Sequence, residues 1–419
     1  MRTQFTRSAL SDAVVHIRSG LAPAVIAVGI IGGLVGAAYI GVLHLLTHLL
    51  GPTHHSGLVQ IGIFLGVGAA VAAITHFGGE TGDVELLVAN IHVLGGAEDV
   101  KSLRSLIPAS LLCVAAGAGM GPEAPMTQTT GTLGTLIATK LNRPMTDVRT
   151  LTITGMAAGL TVLFGAPLGS ALFALEILHR RGLQYYEALL PAIVGSLCGL
   201  GIYVMLGDLG IKPIWSFPPV PTLHASDLAI AVGLGLVGAI GSMIFAKVAQ
   251  ILSWIFSFAP SAPRYVLGGL ALGLLGLWSP YALTNGKIQL EAFPDLRLGA
   301  GVLAVATLAK LLGTTVTMAS GWKGGFIIPL FFMGSTLGQL LHVWVPGVHV
   351  TILMACLMIA LNVGVTKTPL GSTLVVTEMA GLTLLPVTII AAVVALVATS
   401  SVNLIDTQRA RDLKGGVKE

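Results

Sequence analysis

Glu123 is the side chain whose chemistry is most at odds with its surroundings in this sequence. It lies in Gly121-Pro122-Glu123-Ala124-Pro125, between the apolar run Ala115–Met120 and a further helical stretch. A carboxylate at membrane depth costs a few kcal/mol on insertion scales, so its presence points to a use. At a helix N-terminus an ionised carboxylate occupies the place where an anion would otherwise bind. Protonation neutralises it and lets it swing aside. Such a group can gate an anion path, and by taking up a proton it can couple two fluxes. The competing reading is a carboxylate that caps its helix and never moves.

The elements that must position Glu123 come in duplicate. Residues 167–176 read PLGSALFALE and residues 369–378 read PLGSTLVVTE, an offset of 202 (167 to 369). Gly121–Pro125 and Gly325–Pro329 are each followed by Thr-Leu-Gly in the pattern G-x-x-x-P-x6-T-L-G, at an offset of 204 (125 to 329). Two patterns in the same order indicate two structural halves, which in transporters are often inverted, with the ion site at their interface. Inversion is therefore expected here. Pro125, Pro167, Pro329 and Pro369 each stand where an apolar helix begins, a position that tolerates proline. A helix beginning inside the membrane presents unpaired N–H groups and the positive end of its dipole. That makes an anion site without any cationic side chain. Two such starts, one from each half, can converge on a single dehydrated anion.

Composition sets the solvent. Of 419 residues 54% are hydrophobic and 10% charged, with a mean hydropathy of +0.90; soluble domains carry roughly a quarter charged residues. Stretches such as 22–50, 58–77, 188–206, 228–258 and 387–402 are long enough to cross, or nearly cross, the hydrocarbon layer. The expected fold is an all-α polytopic membrane protein of two pseudo-repeated, inverted halves with broken and tilted helices. Its spanning domain covers 21–408, with halves at about 21–207 and 226–408. The tails, 1–20 with Arg2, Arg7 and Arg18 and 409–419 with Arg409, Arg411, Lys414 and Lys418, are basic. They read as cytoplasmic by the positive-inside rule, which explains the net charge of +4 without a nucleic-acid partner. Glycines at four-residue spacing, Gly29/Gly33 and Gly32/Gly36, and the series Gly235, Gly238 and Gly241 suit close helix packing. Cys113, Cys198 and Cys356 sit in apolar runs as packing residues.

With these residues in place, the sequence resembles the CLC family of chloride channels and chloride/proton antiporters over about residues 24–408. The family's G-x-E-x-P motif, with its gating glutamate, is matched by Gly121–Pro125. Its G-x-F-x-P motif is matched by Gly325–Pro329, with Phe326 one place early and Ile327 in the phenylalanine position. Phe164-Gly165-Ala166-Pro167-Leu168 with Glu176 resembles the helix entry that follows the first motif. The third motif, G-S-G-I-P, is met by Glu80-Thr81-Gly82-Asp83-Val84, where Thr81 takes the serine's place. In Asn403-Leu404-Ile405-Asp406, Ile405 takes the place of the inner-gate tyrosine, and Ile177 that of an inner proton-relay glutamate.

The resemblance implies anion transport with Glu123 as gate and proton site. Thr81, Gly121, Pro122, Glu123, Phe326, Ile327 and Ile405 would then form the anion path, with Glu176 on a proton route if one exists. It also implies a homodimer in the plasma membrane with bound chloride as substrate and no cofactor. Ile177 and Ile405 leave open a strict antiporter, a passive voltage-gated channel or a fluoride-handling relative. Glu176 and Glu378, at matching repeat positions, also suit a structural role at equivalent helix ends. Lys310 and Lys323, which precede the second motif, could raise the local anion concentration electrostatically, but snorkelling at the interface is the commoner explanation for such lysines, and neither is counted in the site.

Two other classes compete. A cation-coupled solute transporter would share the broken helices but would bring more intramembrane carboxylates than Glu123. An enzyme would need a catalytic set at depth, and none is evident. His44 and His48 lie one turn apart near His54 and His55, but no carboxylate or cysteine joins them, so no metal is expected.

Overall fold

A computed structural model describes residues 20–410, apart from residues 80, 83, 98–99, 182–183, 208–216, 221, 293–297, 403 and 406–407. The basic tails, apart from Gly20, Arg409 and Ala410, therefore lie outside the described residues, as do Glu80, Asp83, Asn403 and Asp406 of the motif segments. The helices are α1 (Ala22–Leu50), α2 (Gly57–Gly78), α3 (Val84–Leu94), α4 (Leu103–Ala115), α5 (Glu123–Lys140), α6 (Met145–Phe164), α7 (Pro167–Glu176) and α8 (Leu189–Gly207). After these come α9 (Ala225–Ser257), α10 (Ser261–Trp278), α11 (Lys287–Ala292), α12 (Ala300–Ala319), α13 (Ile327–Trp344), α14 (Val350–Thr366), α15 (Pro369–Ala380) and α16 (Leu385–Ala398). The chain is an all-α polytopic membrane protein. A short parallel pairing of β1 (His179–Arg181) with β2 (Arg409–Ala410) accompanies the helices.

Length sorts the helices into two kinds. Six segments are long and apolar enough to cross a membrane, among them α1, α9 and α12. Their outward faces carry large apolar side chains such as Leu45, Leu58, Phe77, Trp254 and Phe258, as a lipid-facing surface requires. By contrast α7 has 10 residues and α15 has 12. At 1.5 Å per residue these span roughly 15–18 Å, short of the ~30 Å hydrocarbon core. They must begin or end inside it.

The repeat seen in sequence is a repeat of structure. In the first half α5 packs on α6, α7 follows, and a 3₁₀ turn at Tyr186–Ala188 leads into α8. In the second, α13 packs on α14, α15 follows, and a 3₁₀ turn at Leu382–Leu384 leads into α16. The central helices of both halves are enclosed: residues 147–164 of α6 and 351–366 of α14 are buried throughout except Arg149, which is half-buried. Helices buried on every face in this way belong in the interior of the bundle. The hydroxyls that α6 buries are satisfied locally, Thr152 and Thr161 donating to the carbonyls of Val148 and Ala157 at 2.8 Å.

The two halves run in opposite senses, and α7 and α15 show it directly. Glu176, at the end of α7, accepts hydrogen bonds from the N–H groups of Leu370 (3.1 Å) and Gly371 (2.7 Å) at the start of α15. Glu378, near the end of α15, accepts from Leu168 (3.4 Å) and Gly169 (2.7 Å) at the start of α7. Each helix end meets the other's beginning, so the pair is antiparallel. Each half supplies the acceptors that the other half's N-terminus lacks.

Close packing follows the small-residue spacing. Gly29 and Gly33 lie against the backbone of Gly195 and Gly199 on α8, where a Cβ would approach carbonyl oxygens to 2.6 and 2.7 Å. Gly32 and Gly36 face Ala158 and Val162 on α6 instead. The opposite result holds for Lys310. It does not snorkel: it is 0% exposed in α12, donating to the carbonyls of Leu283 (2.8 Å) and Thr284 (2.7 Å) with its ammonium 5.2 Å from the Phe332 ring centroid. Neighbouring carbonyls and a ring face take the place that water would have at an interface.

Candidate functional site

The duplicated G-x-x-x-P segments meet face to face. Gly121 and Gly325 form an isolated antiparallel bridge, the Gly121 N–H donating to Gly325 O at 2.8 Å and the Gly325 N–H to Gly121 O at 2.6 Å. This strap brings the beginnings of α5 and α13 together at the boundary between the halves. The loop before it is held from α12: Thr314 Oγ1 donates to Gly119 O at 2.7 Å, and the Gly119 N–H donates to Thr317 Oγ1 at 3.1 Å.

Glu123 opens α5 and is fully buried. Its Oε1 accepts the N–H of Ile328 at 2.8 Å, so the carboxylate of one half sits on the helix N-terminus of the other. Its Oε2 is buried with no hydrogen-bond partner among the described residues. That oxygen is the part of the carboxylate with capacity left for a further donor or a proton. The backbone carbonyl of Glu123 receives Thr127 Oγ1, which fixes the helix turn beneath the side chain.

A cavity of about 630 Å³ runs from Glu123 to Ile405. Of the residues expected on an anion path, it brings together Glu123, Phe326, Ile327 and Ile405. Thr81 is buried beside it, and from that segment Gly82 and Glu85 form the lining. Gly121 serves as the strap, and Pro122 as the N-terminal boundary of α5, its carbonyl receiving the Met126 N–H at 2.9 Å. Toward the C-terminal end of α7, Phe173 and Ile177 contribute to the lining, while both carboxylate oxygens of Glu176 are turned onto α15.

Several contributors were not foreseen. The Ile328 amide is the one that holds Glu123, a consequence of its place in the first turn of α13. The pair Thr314/Thr317 has no motif, since its role appears only when α12 packs against the 117–121 loop. Glu85 lines the cavity, as does Lys323, which the sequence reading weighs as an electrostatic aid to the anion but leaves out of the site. The i and i+4 placement of Thr81 and Glu85 around the start of α3 was the available signal for Glu85.

Comparison with known proteins agrees with this geometry. The family model described as "Voltage gated chloride channel" matches residues 92–400. The chain belongs to the CLC family. Among curated CLC proteins it is 30% identical over 317 residues to the voltage-gated ClC-type chloride channel ClcB of Escherichia coli O81 (strain ED1a), covering 73% of each chain. The same protein from Escherichia coli O139:H28 (strain E24377A / ETEC) is 29% identical over an equal span, again 73% of each chain. Two solved structures share the fold. One, described as a CLC-type fluoride/proton antiporter, gives a TM-score of 0.81 at 22% identity, covering 94% of this chain and 98% of that one. Another, a slow cyanobacterial Cl−/H+ antiporter, gives 0.79 at 22% identity, covering 90% and 93%. The CLC fold thus extends over most of the described chain.

Proposed function

We propose that this CLC protein moves small anions, chloride first, across the membrane, with Glu123 as a protonatable gate. The observation that carries the proposal is the Glu123 carboxylate seated on the Ile328 N–H at the start of α13. A helix N-terminus favours negative charge, and here a mobile carboxylate holds the place that an incoming anion would take. The unpartnered Oε2 provides a site for the proton that would release it. Thr81, Gly121, Pro122, Phe326, Ile327 and Ile405 complete the path: Gly121 and Pro122 by shaping the helix entry, Phe326 and Ile327 through backbone amides, and Ile405 at the inner end of the cavity.

Fluoride is the second substrate to weigh. Ile177 and Ile405 stand where the family's chloride/proton antiporters carry a proton-relay glutamate and a tyrosine, and both isoleucines line the cavity. Glu176, occupied with α15, is a helix cap in this reading. The spanning domain at 21–408, cytoplasmic termini, the plasma membrane and a homodimer with one path per subunit complete the proposal. A monomeric mass in mild detergent would count against the dimer.

The test is anion efflux from proteoliposomes with proton movement recorded alongside, in wild type and Glu123→Ala. Chloride efflux with opposed proton uptake, lost in the variant, establishes an antiporter. Chloride efflux without proton movement establishes a passive channel. Fluoride efflux in place of chloride establishes the fluoride reading. Flux that requires sodium or an organic solute would sink the anion reading in favour of a cation-coupled transporter.

A further inference from the structure

The cavity contains a cation for which no anion-binding motif accounts. Lys323 lines it, two residues before the Gly325 strap. Its backbone is pinned on both sides. Trp322 is 3% exposed, donates Nε1–H to Tyr265 O at 2.8 Å and packs on the Phe64 ring at 5.8 Å. Gly325 is bonded in both directions to Gly121. The lysine Nζ reaches across to Gly82 O at 3.4 Å, beside Thr81. One side chain thus joins the three segments that resemble anion motifs: it belongs to the loop entering α13, it neighbours the strap to α5, and it contacts the entry to α3.

Among the described residues lining the cavity, the charged ones are Glu85, Glu123 and Lys323. Two carboxylates without a cation would repel an anion from this space. Low-dielectric walls focus the field of a fixed charge into a cleft and concentrate its counter-ion, and basic side chains are a recurrent device in anion pores. A lysine fits the task because its ammonium is a compact point charge on a flexible stem, able to face an ion while keeping one bond to Gly82 O.

We propose that Lys323 is an affinity-determining residue of the anion path, its ammonium offsetting part of the negative charge that Glu85 and Glu123 bring to the cavity, so that a small anion can bind beside Glu123. The inference rests on the anion-transport reading above and adds to it the source of the positive field. It makes the charge, and not the shape of residue 323, the property that matters.

The experiment is calorimetric titration of chloride, and then fluoride, into purified full-length protein in detergent. Wild type, Lys323→Met and Lys323→Arg are compared, with melting temperature as the check on folding. A unit charge removed several ångströms from the ion, in surroundings of intermediate dielectric, weakens binding on the order of tenfold. The Met variant is therefore expected to bind about tenfold more weakly, and the Arg variant within about threefold of wild type. If Lys323→Met does not fold, Lys323→Gln carries the same expectation. A folded neutral variant that binds like wild type overturns the inference, because Glu85 would then be neutralising the lysine within a purely structural contact. Equal damage in the Arg and Met variants overturns it too, since shape would be the operative property. Wild type that binds neither anion refutes the underlying transport reading and this inference with it.

Discussion

The reciprocal caps between α7 and α15 allow a quantitative test of what Glu176 does. Glu176→Gln keeps the size of the side chain but leaves one acceptor oxygen for two N–H groups, those of Leu370 and Gly371. An unsatisfied buried donor costs about 1–3 kcal/mol. Removing negative charge from a partly buried helix N-terminus costs up to ~2 kcal/mol more. Part of that loss is returned, because a neutral amide is less expensive to bury than a carboxylate. A net destabilisation of about 1–3 kcal/mol follows, or roughly 2–8 °C in the apparent melting temperature of a large chain. Glu378→Gln is expected to lose about half as much, because Glu378 is only half-buried and one of its two bonds, to Leu168, is long at 3.4 Å. The assay is thermal unfolding in mild detergent followed by intrinsic fluorescence, with the ranking of variants as the readout. Proteoliposome flux in Glu176→Gln should keep the wild-type ratio of anion to proton movement. A variant that melts like wild type yet loses proton movement would refute the cap and place Glu176 on a proton route. A larger loss in Glu378→Gln than in Glu176→Gln would refute the energetic reasoning.

Three further outcomes follow from other contacts. A Cβ on Gly121 would collide with the carboxylate of Glu123, the free end of a side chain, whereas one on Gly325 would also meet the Ala124 backbone nitrogen at 2.8 Å. Gly121→Ala should therefore displace Glu123 and raise anion flux at high pH, while Gly325→Ala should lower the melting temperature; flux against pH and thermal unfolding check the two. Lys367 has a left-handed backbone (φ 61°), and its Nζ donates to Gly364 O (2.6 Å), Thr399 O (2.7 Å) and Thr399 Oγ1 (2.8 Å). Lys367→Met should cost about 2–4 kcal/mol of stability, and Lys367→Gly should cost about 1 kcal/mol less because it relieves the backbone strain. His179, in β1 beyond the end of α7, is pushed down to about 4, chiefly by burial and further by His92 beside it, with Arg149 adding to the effect and Gln184 opposing it. The folded state thus favours the neutral ring. Stability is full above about pH 6.5 and is lost as pH falls toward 4, and a His179→Gln variant should show a flatter melting profile across that window.

How much of this was legible in the sequence depends on the range over which each feature acts. The duplication, the helix entries at proline and the glycine pairs are local patterns, and each could be read from spacing. The Gly29/Gly33 face needed only four-residue spacing, although its partner, α8, is far away in the chain. Lys310 was misread because a lysine in an apolar helix is normally assumed to reach water; its partners, the carbonyls at 283–284, lie in a turn that no periodicity ties to α12. Lys323 and Glu85 were obscure for the same reason, since a cavity is assembled from segments as far apart as residues 82 and 405. The third motif is too altered around Thr81 to say which of its residues would face that space.

The most informative point is where the two halves cease to match. At the α7–α15 contact the symmetry is complete: Glu176 and Glu378 each cap the other's helix. At the strap, the offset of 204 places Ile327 opposite Glu123. Glu123 reaches across to the Ile328 N–H, but an isoleucine has no oxygen with which to return the bond, and α5 carries no side-chain cap at its N-terminus. One half therefore supplies a carboxylate and the other only amides. A symmetric pair of carboxylates here would close both helix ends as firmly as at α7 and α15, with like charges crowded into one buried site. Replacing one of them by isoleucine leaves a single negative group between two positive helix ends, a balance that a proton or a competing anion can tip. On the proposed reading, the same duplicated architecture yields a fixed clasp where both acids are present and a movable one where only Glu123 is.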